Sequence, residues 1–185
     1  MRKKAIIMDL DNTIYLVSSI GSKLFKSLFQ VITESGEYLG DIDEITSEIM
    51  RRPFQFVAND FGFSDHLKKK CFSLLSNLTY DEKMETVEDY KFVREIPCTK
   101  FLVTTGYTKL QESKIHQLGI TDDFDNIYII DPDRSDMTKR DVFGKILSEN
   151  SYQAEDVLVV GDDLNSEIKA ARELGILSVL YDFKK

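Results

Sequence analysis

Acids and hydroxyls stand at the ends of apolar runs in this chain. Asp9, Asp11 and Thr13 follow the run Lys4–Met8, and Thr104 and Thr105 follow Lys100–Val103. Asp162 and Asp163 follow Val157–Val160 and Gly161, with Glu167 a few residues on. Brought to one place, so many carboxylates cannot all stay ionised without compensation. A hard divalent cation resolves the crowding, and oxygen-only ligands suit magnesium, which also binds substrate phosphate. Lys139 could add a second positive charge. Such a set suits phosphoryl transfer, where cations neutralise the equatorial oxygens and hydroxyl and backbone donors orient them. One carboxylate can attack phosphorus. A second can protonate the leaving oxygen and then deprotonate water.

Convergence requires a particular fold. The runs named above, with Ile127–Ile130 and Leu177–Tyr181, read as short continuous apolar strands, the pattern of parallel strands covered on both faces. Helices fit between them. Thr108–Leu118 stops at Gly119, Lys139–Glu149 carries Val142, Phe143, Ile146 and Leu147 at helical spacing, and Ser166–Leu174 stops at Gly175. The alternation predicts an α/β fold, a Rossmann-like doubly wound parallel sheet. In such a sheet the strand C-termini share one edge, and ligands bind there. Residues 17–90 differ: Leu24 to Ile32, Ile42 to Met50 and Leu67 to Leu78 fit helices, with no convincing buried strand. They predict a helical insertion after the first strand, with the core formed by residues 1–16 and 91–185. Phe54, Phe56, Phe61 and Phe63 read as the insertion's core.

Composition narrows the function. The 185 residues are 42% hydrophobic and 30% charged, ordinary for a soluble globular protein. A chain of this length buries about 70% of the surface its unfolded form exposes, so it needs no staple to fold. The net charge of −8 disfavours nucleic acid and anionic membranes. Lys68, Lys69 and Lys70 read as a solvated helix face. The apolar stretch before Asp9 is too short for a signal-peptide core, and no segment approaches the ~20 apolar residues of a membrane span. Cys71 and Cys98 have no partner at metal spacing and read as free thiols of a reducing cytoplasm. The expected partner is a small phosphorylated molecule.

Together these residues resemble the haloacid dehalogenase superfamily, in its phosphatase branch. Asp9-Leu10-Asp11-Asn12-Thr13 matches the first signature, Asp-x-Asp-x-Thr. Thr104 matches the second, and Thr104-Thr105-Gly106-Tyr107-Thr108 is similar to Thr-Asn-Gly-Phe-Thr of nucleotidase-like members. Lys139 matches the third, and Gly161 to Glu167 the fourth. The match covers residues 1–16 and about 98–183, in order. By resemblance Asp9 is nucleophile and metal ligand. Asp11 is the acid and base and lends its backbone carbonyl to the metal. Thr104, Thr105 and Lys139 hold the phosphoryl group, and Asp162 ligates magnesium. Thr13, Asp163 and Glu167 support these groups, and residues 17–90 stand where the family places its C1 cap. The implied activity is magnesium-dependent hydrolysis of a phosphomonoester, such as a nucleotide monophosphate or sugar phosphate, through an aspartyl phosphate.

The chain departs from the family pattern in places. Arg140 follows Lys139 where proline is usual, which keeps Lys145 and Lys109 open as substitutes. Glu167 stands where aspartate is more frequent, and Pro97 stands in a junction that usually turns on glycine. A phosphomutase would reuse the same aspartyl phosphate. A receiver-like signalling domain would hold phosphate with a similar acidic cluster. Asp163 also fits a plain helix N-terminal acid. His66, His116, Arg51 and Arg52 read as solvated.

Overall fold

The computed structural model describes residues 2–182. Met1 and residues 183–185, which the sequence assigns to the core unit, lie outside the described residues. Five parallel strands form one sheet in the order β3-β2-β1-β4-β5. They are β1 (Ala5–Met8), β2 (Thr99–Thr105), β3 (Asn126–Ile130), β4 (Val157–Gly161) and β5 (Leu177–Leu180). The strand order reverses at β1, with β2 on one side and β4 on the other. Asp9 therefore leaves the sheet at the topological switch point, where a crevice opens beyond the strand ends.

One apolar cluster covers one face of the sheet through Phe101, Val103, Phe143, Ile146 and Val159. The helices α8 (Lys139–Glu149) and α9 (Glu167–Glu173) bury their apolar stripes there. On the other face a second cluster joins Ile6, Met8, Leu102 and Leu110 to Ile32, Ile45 and Leu67 of the segment between β1 and β2. The helix α7 (Thr108–Leu118) contributes Leu110 and Ile115 to it. Between β1 and β2 the described residues form α1 (Val17–Leu24), α2 (Lys26–Ser35), α3 (Ile42–Ile49), α4 (Phe54–Asp60), α5 (Asp65–Leu75) and α6 (Tyr90–Arg94). No helix among the described residues is long and apolar enough to cross a membrane.

Three expectations need correction. The apolar run from Leu24 to Ile32 is divided between two helices, because the chain leaves helical geometry at Phe25 (φ −94°, ψ 9°). The bend keeps Leu24, Phe25, Leu28 and Ile32 all buried. β5 is an edge strand, and Leu177, Val179 and Leu180 are exposed because nothing among the described residues covers them. Phe56 is not core: it is 60% exposed, whereas Phe54 and Phe63 are buried and meet edge to face at 5.8 Å.

Candidate active site

Each end of the crevice is built by a local device. After β1 the Asp9 N–H still donates to the Val160 carbonyl at 3.0 Å, so Asp9 is held in sheet register. The chain then turns: the Thr13 and Ile14 N–H groups both donate to Leu10 O. Asn12 sits in the left-handed region (φ 54°), which asparagine tolerates better than most side chains. Its Oδ1 accepts from Val17 N at 3.0 Å and satisfies an N–H at the start of α1. This turn brings Tyr15 beside Asp11. Thr13 is buried inside the loop, and its hydroxyl has no partner.

Lys139 is the first residue of α8. Thr138 and Asp141 form a reciprocal capping box there, which fixes the helix start without the proline that usually follows such a lysine. The Lys139 ammonium reaches Asp9 Oδ1 at 2.6 Å and Glu167 Oε2 at 2.7 Å. Lys145 instead pairs with Glu149, and Lys109 donates to Asn77, so neither takes this place. Glu167 reaches the lysine by crossing directly over Gly161. A Cβ at 161 would lie 2.3 Å from Glu167 Cγ, so the glutamate can take this path only over a glycine. The other Glu167 oxygen accepts from Asp163 N at 2.6 Å.

Asp9, Asp162 and Glu167 offer carboxylate oxygens that all lie within 4.8 Å of one another. Burial pushes the Asp9 carboxyl up to about 7, with Lys139 opposing and the charges of Glu167 and Asp11 adding to the rise. Burial likewise pushes Asp162 up to about 6, reinforced by Glu167 and opposed by Lys139. For Glu167, burial is outweighed by the Lys139 charge and hydrogen bond, and its carboxyl is lowered. Asp163 lies at the cavity's edge: it is exposed, its carboxylate accepts from Asn165 N in a turn, and its charge adds to the rise of Asp162.

Asp11 has separate surroundings. Its Oδ1 accepts from Lys114 Nζ at 2.8 Å and from the Tyr15 hydroxyl, and its Oδ2 accepts from Gln111 Nε2 at 2.9 Å. Burial alone would raise this carboxyl. The Lys114 charge and hydrogen bond, with those of Tyr15 and Gln111, outweigh it, and the net shift is downward. Gln111 Nε2 also reaches Thr104 Oγ1 at 2.6 Å, tying Asp11 to the end of β2. Thr104 is buried and Thr105 exposed, and both line the cavity that holds Asp9, Asp11 and Lys139.

Sequence reasoning missed Lys114, Gln111 and Tyr15. Gln111 and Lys114 lie three residues apart on α7 and are both buried with Leu110 and Ile115. That shared face was the available signal: two polar residues interrupt an otherwise apolar stripe. Arg51 and Arg52, expected to be solvated, both line the cavity. Arg52 is only half-buried and is held by Glu48 at 2.7 Å and Asp60 at 2.9 Å, which explains its place at the edge. His66 and His116 are exposed, as the sequence predicts.

A family description, haloacid dehalogenase-like hydrolase, matches residues 3–175. The chain belongs to this family. A glyceraldehyde 3-phosphate phosphatase from Pyrococcus abyssi is 23% identical over 202 aligned positions, covering 98% of this chain and 82% of that protein. A ribulose-1,5-bisphosphate 5-phosphatase from Halopiger xanaduensis is 30% identical over 111 positions, 56% of this chain and 45% of that protein. Among solved structures, a haloacid dehalogenase-like hydrolase from Streptococcus pneumoniae superposes with a TM-score of 0.72 at 20% identity, covering 96% of this chain and 84% of that one. A family member from Bacillus subtilis, solved with bound magnesium, superposes at 0.65 with 17% identity, covering all of this chain and 90% of that one. The fold is thus the family's α/β sheet, and the chain is an enzyme of this family whose sequence relatives are phosphatases.

Proposed function

We propose that this haloacid dehalogenase-like phosphatase hydrolyses a small phosphomonoester through an aspartyl phosphate on Asp9, with magnesium as cofactor. The observation that carries the reading is the Lys139 ammonium between Asp9 and Glu167, with Asp162 within 4.8 Å, in the same cavity as Asp11 and Thr104. The donor set fits magnesium: three crowded carboxylates, two raised by burial, form an oxygen site whose charge a hard cation relieves. Asp9 and Asp162 would hold the ion with the Asp11 backbone carbonyl, and Glu167 would orient the set or join it. When bound, magnesium supplies charge stabilisation to the phosphoryl oxygens.

The chain's own residues divide the chemistry. An Asp9 oxygen attacks phosphorus as the bond to the leaving oxygen breaks, and Asp11, which must first take up a proton against the pull of Lys114, gives that oxygen its proton. Asp11, now a carboxylate, takes a proton from water. The water oxygen attacks phosphorus, the bond to Asp9 breaks, and inorganic phosphate leaves. Thr104, Thr105 and Lys139 hold the phosphoryl oxygens, and Lys114, Tyr15 and Gln111 aim Asp11. Residues 17–90 act as a cap that covers the site and meets the leaving group. The Bacillus subtilis relative, whose structure reveals interdomain movement, supports a mobile cap. The named relatives act on sugar phosphates, which supports a small metabolite over a polymer.

A phosphate-release screen over phosphorylated metabolites tests this. Release with magnesium and none with chelator is expected, and equal rates in the two conditions would overturn the site. Conversion to an isomeric phosphate without release would mark a mutase instead.

A further inference from the structure

We propose that the cavity above Asp9 selects phosphomonoesters whose alcohol carries a flat, apolar ring, and turns away short polyol phosphates. The inference rests on the phosphatase reading of the site. The cavity has a volume of about 510 Å³, far more than a three-carbon phosphate fills. Of the residues that α1 to α5 and their connections place on its wall, only Arg51, Arg52 and Gln55 are polar. Arg52 is already committed to Glu48 and Asp60. The rest of that wall includes Phe25, Ile49, Met50, Phe54, Phe56 and Leu75.

Such a wall treats two kinds of alcohol differently. A polyol brings hydroxyls that lose water and meet few partners, and each one left unpaired lowers kcat/KM by roughly tenfold or more. An apolar ring loses no hydrogen bonds and removes its own surface from water. Phe56 adds to this: it lines the cavity and is 60% exposed, an apolar side chain that a ligand could cover. Offset or edge contacts with Phe56 would favour a flat ring over a branched chain.

The test uses three alkyl esters whose leaving groups are of similar basicity: 2-phenylethyl phosphate, ethyl phosphate and glycerol 1-phosphate, each with magnesium. We expect kcat/KM for the phenylethyl ester to exceed that for the ethyl ester by about 30-fold, with glycerol 1-phosphate no better than ethyl. Phe56→Ser should cut the phenylethyl-to-ethyl ratio at least threefold, and its exposed position spares the fold. Glycerol 1-phosphate turned over as well as the phenylethyl ester, or a ratio unmoved by Phe56→Ser, would overturn the proposal. p-Nitrophenyl phosphate separates the two levels. Its turnover alongside equal rates for the three esters overturns ring selection alone, whereas no phosphate from any ester removes the phosphatase reading and this proposal together.

Discussion

Asp9 and Asp11 leave the same strand two residues apart, and the fold gives them opposite surroundings. Asp9 is buried among carboxylates that share one lysine, and burial dominates, so its carboxyl rises to about 7. Asp11 is half-buried beside its own lysine, a tyrosine and a glutamine, all of which donate to it, and its carboxyl is lowered. Two chemically identical side chains thus acquire opposite shifts from their neighbours alone. The crowded site around Asp9 invites a cation, while the Asp11 site already holds its charge and needs none. Alternation along β1 alone does not produce this. The turn at Asn12 and the buried polar face of α7 do.

The sharpest way to break the comparison is to remove the charge on each side in turn. Asp9→Asn should abolish phosphate release, a loss on the order of 10⁴-fold or more, because an amide neither attacks phosphorus nor ligates metal well. The variant should remain folded by circular dichroism, since an amide relieves carboxylate crowding. A folded Asp9→Asn protein that still releases phosphate freely would move the nucleophile elsewhere. Asp11→Asn should cost on the order of 10²- to 10⁴-fold with alkyl esters and clearly less with p-nitrophenyl phosphate, whose leaving oxygen needs little protonation. Burst kinetics that show both ester types losing the same factor at the phosphorylation step would deny Asp11 its role as acid.

What was legible in the sequence follows the same division. The Asp9 side rests on short-range patterns. An apolar run ending in acids marks a strand end, and the apolar spacing of Val142, Phe143, Ile146 and Leu147 places Lys139 at a helix start, which the structure seals with a Thr138–Asp141 capping box. Thr108–Leu118, read from its apolar spacing and its stop at Gly119, coincides with α7, and Lys139–Glu149, read from its apolar spacing, coincides with α8. The Asp11 side rests on Lys114, which no family signature marks, whereas the equally distant contact of Lys139 with Asp9 joins two signatures. The local sign is that Gln111 and Lys114 interrupt the apolar stripe of α7, which marks a buried polar face but not the acid it meets. The insertion was legible as helical but not in detail. Its apolar residues say that something covers them, yet the break at Phe25 and the exposure of Phe56 depend on what packs where. Glu167 was visible as a supporting residue, but its place among the clustered carboxylates depends on the glycine beneath it, a tertiary contact.

Metal binding sharpens the contrast through pH. A carboxyl raised in the folded state disfavours folding once pH exceeds its unfolded value. For Asp162, raised from 3.8 to about 6, the penalty is absent below about pH 4 and complete above about pH 6. Asp9 extends this window to about pH 7. Magnesium needs both groups ionised, so protons compete with it below these values. At magnesium near one hundred times its dissociation constant, melting should rise by about 5–10 °C at pH 8 and by much less at pH 5. Thermal scans in magnesium and in chelator across pH 5–8 measure this. A magnesium effect that did not shrink with falling pH would place the ion away from Asp9 and Asp162.

The smallest effect is expected at Asp163, and it tests how far the acidic cluster extends. Asp163 is adjacent to Asp162 in sequence, but its carboxylate is turned into the loop, where it accepts from Asn165 N at 2.7 Å. What Asp163 gives the site is its backbone N–H, which donates to Glu167 Oε1 at 2.6 Å. An asparagine keeps both contacts, since its amide oxygen can accept from the same N–H and its backbone is unaltered. Asp163→Asn should therefore change kcat/KM and apparent magnesium affinity by no more than about threefold, in line with ordinary surface changes. Glu167→Gln is the contrasting variant: it halves the carboxylate charge paired to Lys139 and should weaken magnesium protection against heat severalfold more than Asp163→Asn does. Equal losses in the two variants would mean that net negative charge near the ion, rather than the reach of Glu167 across Gly161, is what the cluster contributes.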